Sequence, residues 1–156
     1  FQSCKIFPEM SVFQNVLLGA LFGAPEKIAW KKAAEVAEEA IAFTGLSAFH
    51  DLPAGSLTLV NQKRVEVARA LATKPELLML DEMMAGLNPT EVGEAMELVK
   101  RIRDSGITII MIEHVMKAIM NICGRIIVLD HGKKIAEGTP EEISTSKTVI
   151  EIYLGE

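Results

Sequence analysis

Apolar and polar positions follow two different periods along this 156-residue chain. Up to about residue 73 the apolar residues recur at helical spacing, with charged residues on the opposite face. This pattern predicts three helices, over about 12–21, 27–44 and 61–73. Ser11 and Gln14 form a capping box before the first helix, and Gly45 can end the second. Residues 5–70 are therefore expected to form a mostly helical lobe.

Beyond about residue 75, short apolar runs alternate with amphipathic segments, as in β-α-β units. The predicted strands are 77–81, 107–112 and 125–129, and the predicted helices between them are 90–104 and 115–122. Residues 130–132 predict a hairpin turn into a partner strand at 134–137, and 139–142 have the residues of a helix start. A last helix is expected near 147–154. The fold class is α/β, with a parallel-sheet core over about 75–156.

Composition narrows the choice of partners and chemistry. The net charge is −5 and the chain has no block of Lys or Arg, so nucleic acid is excluded as a main partner. Cys4 and Cys123 lie far apart with no CxxC spacing, which argues against a disulfide framework or a zinc site. No apolar run approaches the length of a membrane span. The chain opens on Phe1 without an initiating Met, and we expect it to be the later part of a longer protein.

Two adjacent carboxylates, Asp81 and Glu82, end the apolar run that opens at Leu77. A run this short, closing on charge, predicts a buried parallel strand whose carboxyl end faces a crevice. Two carboxylates at such an end can have different tasks in metal-assisted phosphate chemistry. One can hold a hydrated divalent ion, and the other can accept a proton from water. A structural alternative stays open, in which the acids only cap the following loop or helix.

Several features occur in a fixed order along the chain. They are Phe1-Gln2, Leu57 to Gln62 before a helix, Leu77 to Glu82, Ala85 to Pro89, and Ile112-Glu113-His114 after a strand. This order resembles the ATP-binding subunits of ABC transporters over essentially the whole chain, and implies a partial P-loop NTPase fold. The segments at 7–12, at 64–73 and at the closing 153–156 look most like the branched-chain amino-acid importer branch.

The resemblance implies roles for four residues around ATP and Mg²⁺. Gln2 would reach the magnesium ion and the attacking water, and Asp81 would hold a water of the magnesium shell. Glu82 would act as the general base, and His114 would hydrogen-bond the γ-phosphate. Without that setting, His114 would be read as a structural residue at a strand end.

The segment Leu57 to Gln62 corresponds to the family signature, which grips the γ-phosphate bound on the opposite subunit. Thr58, Asn61 and Gln62 keep polar groups there, but Val60 stands where the family has Gly. We expect a β-branched residue to resist a positive φ and to hinder close approach of phosphate.

The loop Ala85 to Pro89, with Asn88 as a nucleotide contact, would cross to the second subunit. Met83 and Val115 replace the usual Pro and Asp beside Glu82 and His114, and are expected to loosen the neighbouring turns.

The resemblance also implies partners and a location. The protein would form a head-to-tail dimer with a second ABC ATPase subunit and bind integral membrane permease subunits at the cytoplasmic face of the cell membrane. No GxxxxGK[ST] phosphate loop occurs in the sequence, which agrees with a missing upstream segment. Two alternatives stay open: a truncated, non-catalytic remnant unable to bind ATP on its own, and an ABC ATPase that moves no solute.

Overall fold

The computed structural model describes residues 5–23 and 27–154, and it has the alternation of helices and strands that the sequence predicts. The elements in chain order are α1 (Val12–Phe22), α2 (Trp30–Phe43), α3 (Leu59–Leu71), β1 (Leu77–Asp81), α4 (Pro89–Asp104), β2 (Thr108–Ile112), α5 (Met116–Ile122), β3 (Ile126–Asp130), β4 (Lys133–Gly138), α6 (Pro140–Ser144) and α7 (Lys147–Leu154), with 3₁₀ turns at Ser47–Phe49 and Ala54–Ser56. The described residues up to Ile112 form one compact unit, and those from Glu113 onward form a second. No helix in the described ranges is both long enough and apolar enough to cross a membrane.

The first three helices pack together around an aliphatic core, as the helical spacing predicts. The core residues include Val12, Val16, Val36, Ala37, Ile41, Leu46, Val65 and Ala68. Helix α1 begins at the predicted capping box, where the Gln14 N–H donates to Ser11 Oγ and the Ser11 N–H donates to Gln14 Oε1. A Cβ at Gly19 would lie 2.2 Å from the backbone oxygen of Arg69, so only glycine allows α1 to approach α3 this closely.

A fully buried amide at Asn15 joins α1 to the turn that precedes it. Its Oδ1 accepts from the Phe7 N–H at 2.8 Å, and its Nδ2 donates to the carbonyls of Phe7 and Met10. Burying an amide without partners is costly, whereas here both polar atoms are hydrogen-bonded. Asn15 therefore fixes the chain entering α1.

Helix α2 ends in the arrangement that Gly45 predicts. Gly45 has φ +77°, its N–H donates to the carbonyl of Ala42, and the N–H of Leu46 donates to the carbonyl of Ile41. These two bonds form a Schellman cap, which satisfies carbonyls that the helix itself leaves unpaired. The fully buried Leu46 then returns the chain to the core.

Strands β1 and β2 pair in parallel through the crossover helix α4, as predicted, with Leu77 opposite Thr108 and Asp81 opposite Ile112. The prediction that the first strand is buried is wrong for one face. Leu78 and Leu80 are buried, but Met79 is 67% exposed. The whole exposed apolar set on this face is Leu77, Met79, Ile110 and Ile112. Only one face of the two-stranded sheet is covered within the described residues.

The second unit contains the predicted hairpin and helix start. Strands β3 and β4 are antiparallel, with an irregularity between Val128 and Leu129. Helix α6 begins at Pro140 and is capped by Thr139, whose hydroxyl accepts from the Glu142 N–H. The core of this unit is formed by Ile126, Val128, Ile143 and Val149.

Candidate functional site

The two predicted carboxylates lie together at the carboxyl end of β1. Asp81 is the last residue of the strand and is exposed, and Glu82 follows it and is half-buried. The N–H of Glu82 donates to the carbonyl of Ile112 at 2.9 Å, so the parallel pairing continues one step beyond the strand. The strand end predicted from the apolar run is therefore confirmed, and Asp81 and Glu82 lie at it.

Glu82 has φ +47°, in the left-handed region that non-glycine residues rarely occupy. Such a conformation costs on the order of 1 kcal/mol and persists only where the surroundings enforce it. The carbonyl of Glu82 accepts two hydrogen bonds, from the Ala85 N–H at 3.1 Å and from Lys63 Nζ at 3.2 Å. A strained residue at the end of a sheet is a common feature of active sites.

The turn after Glu82 is anchored by buried side chains. Met83 and Met84 are both buried, and the loosening of the turn by Met83 stays a prediction. Gly86 has φ +78°, and a Cβ placed on it would lie 3.2 Å from Leu59 Cδ2. The loop Ala85 to Pro89 therefore lies against the start of α3, so two sequence-predicted segments meet within the first unit.

A cavity of about 220 Å³ borders Asp81 and the middle of α3. Its lining mixes the charged groups of Lys63, Glu66 and Asp81 with the apolar side chains of Leu80 and Met83. The opening therefore has charged groups of both signs on a wall that is also partly apolar.

The signature-like segment is the entry to α3. Thr58 is the exposed N-cap residue, but its side chain makes no capping hydrogen bond within the described residues. Gln62 Nε2 donates to the carbonyl of Leu57 at 2.9 Å, and Asn61 Oδ1 accepts from Arg64. Gln62 therefore ties α3 back to the loop before it.

Val60 lies inside α3 and is 9% exposed. The positive-φ residues of the described chain do not include it. The helix requires only the ordinary negative φ at position 60, so the resistance of a β-branched residue to a positive φ is not called upon there, and hindrance of phosphate approach by Val60 stays a prediction. A contact of Val60 with nucleotide stays a prediction.

Asn88 caps α4. Its Oδ1 accepts from the N–H groups of Thr90 and Glu91, and the Glu91 carboxylate accepts from the Asn88 N–H. Pro89 opens the helix, as predicted. The amide oxygen of Asn88 thus has a structural role, and its contact with nucleotide stays a prediction.

His114 belongs to the second unit, where it is exposed. With Glu113 it lies at a cavity of about 350 Å³ that is otherwise mostly apolar, lined by Met116, Ile119 and Val128 among others. Val115 is the N-cap residue of α5. Gln2 lies outside the described residues, so its role stays a prediction. The approach of His114 to Glu82 also stays a prediction.

Lys63 is a candidate site residue that the sequence reasoning missed, because the helical pattern places charged residues on the face opposite the core. It is half-buried and reaches the carbonyl of Glu82. Helical spacing already indicates that Lys63 lies on a buried face, because residues 60, 63 and 67 lie on one face of α3. Val60 and Val67 are both buried, so a lysine between them is directed toward the protein.

A family model described as "ABC transporter" matches residues 1–85, more than half of the chain. The chain belongs to the ABC transporter family. A second model, described as "Branched-chain amino acid ATP-binding cassette transporter", matches residues 133–156. The ABC transporter resemblance stated from the sequence is thereby confirmed.

Similar proteins include a transport ATP-binding protein and solved ABC transporter cassettes. BraF, the high-affinity branched-chain amino acid transport ATP-binding protein of Pseudomonas aeruginosa, is 37% identical over 100% of this chain and 66% of its own length. The ADP conformation of an ATP-binding cassette of an ABC transporter matches with a TM-score of 0.85 and 30% identity, over 100% of this chain and 67% of that one. A dimeric bacterial ABC transporter cassette matches with a TM-score of 0.77 and 25% identity, over 90% and 61%. These structures confirm a partial ABC ATPase fold for a chain that spans about two thirds of such relatives' length.

Members of the ABC transporter family bind ATP, and the family implies Mg²⁺. The described residues contain no group of three or more His, Cys, Asp or Glu side chains that could hold a metal. Mg²⁺ in nucleotide sites is usually held by one or two carboxylates together with phosphate oxygens and waters. The exposed carboxylate of Asp81 fits that mode of binding, with Glu82 beside it as the second acid.

Proposed function

We propose that this chain belongs to an ATP-binding, ATP-hydrolysing subunit that energises uptake of branched-chain amino acids. The observation that supports this most directly is the acid pair at the end of β1, with Glu82 held in a strained turn. The likeness to BraF and the match of residues 133–156 to the branched-chain amino-acid family support the solute class.

In this proposal each acid has one task. The carboxylate of Asp81 holds Mg²⁺ through its water shell, and the ion, when bound, neutralises charge on the phosphate oxygens. Glu82 accepts a proton from the water that attacks the γ-phosphate, and His114 orients that phosphate by a hydrogen bond. Gln2, Thr58, Asn61, Gln62 and Asn88 are proposed as further contacts of the nucleotide and its ion.

The proposal needs a phosphate-binding loop that the 156 residues do not contain. Backbone N–H groups and a lysine in such a loop cradle the β- and γ-phosphates. The second candidate function, a non-catalytic remnant that binds no ATP on its own, requires that the complete gene product also lacks such a loop.

The first prediction concerns Glu82→Gln in the complete gene product that contains these residues. The amide cannot accept the proton from water, so we expect kcat for ATP hydrolysis to fall by about 10²–10⁴-fold with little change in ATP affinity. Steady-state phosphate release and equilibrium ATP binding measure the two quantities.

Glu97→Gln is the matched control, since Glu97 is an exposed acid on α4 that pairs with Lys100 and should leave kcat unchanged. An equal loss in both variants would count against Glu82 as the base. A complete product that neither binds nor hydrolyses ATP would support the remnant instead.

The proposed partners are a second ATPase subunit in a head-to-tail dimer and integral membrane permease subunits. The similarity to a dimeric cassette supports the first of these.

ATP-dependent uptake of radiolabelled leucine into vesicles holding the copurified complex, with competition by isoleucine and valine, tests the solute class. Uptake of an unrelated solute would support the ATPase function but contradict branched-chain amino acids as the solute. Purification without a membrane partner would favour an ABC ATPase that moves no solute.

A further inference from the structure

We propose that Lys63 is a positioning residue that holds Glu82 in its left-handed turn and thereby aims the general base. This inference rests on the proposed function for its catalytic consequence, whereas the structural tie itself can be tested without any nucleotide.

The tie is a hydrogen bond to the backbone of the acid rather than to its side chain. Lys63 Nζ donates to the carbonyl oxygen of Glu82 at 3.2 Å, across 19 residues of sequence. The same oxygen accepts from the Ala85 N–H at 3.1 Å. A charged donor makes a stronger hydrogen bond to a carbonyl than a neutral one does. The oxygen is therefore fixed from two directions.

Fixing this oxygen matters because the residue that carries it is strained. Glu82 has φ +47°, and its N–H is already held by the carbonyl of Ile112. With both backbone polar groups bound, the conformation is over-determined, which is the condition for a strained residue to persist. Without Lys63, the carbonyl would lose its charged donor while the bond from the Ala85 N–H remained, and the side chain of Glu82 would sample other directions.

The placement of Lys63 on α3 suits this role. Val60 and Val67, on the same face of the helix, are buried, and the half-buried lysine lines the cavity that also borders Asp81. The next cation along the helix, Arg64, is bound instead to Glu94 of α4. Lys63 thus connects the helix after the signature-like segment to the acid turn by a hydrogen bond.

The structural test uses the 156-residue chain and hydrogen exchange read by NMR or mass spectrometry. In Lys63→Met, we expect the amides of Glu82 and Ala85 to exchange about two- to tenfold faster than in the wild type, because one hydrogen bond to the turn is lost. Lys63→Arg keeps a cationic donor and should restore most of the protection. Lys100→Met, which removes a lysine from an exposed pair on α4, should leave these amides unchanged.

The functional test uses the complete gene product. A misdirected base lowers the rate of the chemical step but not nucleotide binding, so Lys63→Met should reduce kcat by about tenfold to a hundredfold with KM for ATP nearly unchanged. Lys63→Arg should recover activity, and Lys100→Met should behave as the wild type.

These outcomes separate the inference from the proposed function. Faster amide exchange in Lys63→Met, combined with no ATPase activity in the wild type, would support the hydrogen bond between Lys63 and Glu82. The same result would reject the proposed ATP-hydrolysing function. Normal exchange at Glu82 and Ala85 in Lys63→Met would overturn the tie. A loss of activity that Lys63→Arg does not restore, or one expressed only in KM, would overturn the positioning role.

Discussion

At His50 a single imidazole ring connects three parts of the helical lobe. Its Nε2 lies 3.0 Å from Glu38 Oε1 on α2, its Nδ1 lies 2.7 Å from Asp51 Oδ1, and the ring stacks on Phe13 of α1 with centroids 4.8 Å apart. Partial burial lowers the pKa of His50, but the hydrogen bonds to Asp51 and Glu38 outweigh it and raise the pKa above its ordinary value. Protonated His50 is therefore bound more tightly in the folded state.

The pH dependence at His50 follows from the sign of that shift. Because the folded pKa is raised, its stabilising contribution is fully present below the unfolded pKa of about 6.5 and is lost as the pH rises through the folded pKa. The size should be below about 1 kcal/mol, since both carboxylates are largely exposed. Urea midpoints measured from about pH 6 to about pH 8.5 should fall more steeply in the wild type than in His50→Phe.

His50→Phe is a useful comparison because it keeps an aromatic ring against Phe13 and removes the titrating nitrogens. Taking the difference between the two proteins also cancels every contribution that they share. Parallel pH profiles for the two proteins would contradict a raised pKa at His50.

At the scale of elements, two glycines have opposite conformational requirements. Gly45 ends α2 with φ +77°, whereas Gly93 lies within α4 and is not among the positive-φ residues. A Cβ at either position would meet no atom within 4 Å. Any effect of adding a methyl group is therefore due to backbone conformation and not to crowding.

The same substitution should consequently have opposite signs at the two sites. Gly45→Ala forces an L-residue into the left-handed region and should lower the free energy of unfolding by about 1 kcal/mol. Gly93→Ala should raise it by about 0.5–1 kcal/mol, because alanine favours the helix interior. Urea denaturation of both variants measures the two changes. Destabilisation by Gly93→Ala would show that α4 is not the helix described.

At the scale of the whole molecule, the exposed face of the β1–β2 sheet is an apolar surface of the first unit. Met79 and Ile110 are paired in register on it, and Ile112 is 59% exposed. An exposed apolar sheet face promotes association between copies. We therefore expect the 156-residue chain to self-associate as its concentration rises.

Replacing Met79 and Ile110 together by Thr should reduce this self-association while costing little stability, since threonine favours strands. Sedimentation velocity over a range of concentrations measures the effect. Leu78→Thr, on the buried face, is the contrasting variant and should destabilise the fold by about 2–4 kcal/mol. Unchanged association of the double variant would mean that another surface is responsible.

What the sequence could predict at each scale depended on how far apart the interacting residues lie along the chain. The cap at Ser11, the turn at Gly45 and the end of β1 at Asp81 rest on hydrogen bonds and periods within a few residues, and all three are confirmed. The bond between Lys63 and Glu82 spans 19 residues, and no local pattern encodes it.

The sequence by itself therefore determined the order of helices and strands, the family, and the place of the acid pair at a strand end. Tertiary structure alone decided that Asn15 is buried and hydrogen-bonded, that Val60 lies inside a helix, and that Met79 on one face of β1 is exposed. The physical reason is that period and capping chemistry act between chain neighbours. Burial and long-range hydrogen bonding exist only once distant segments pack together.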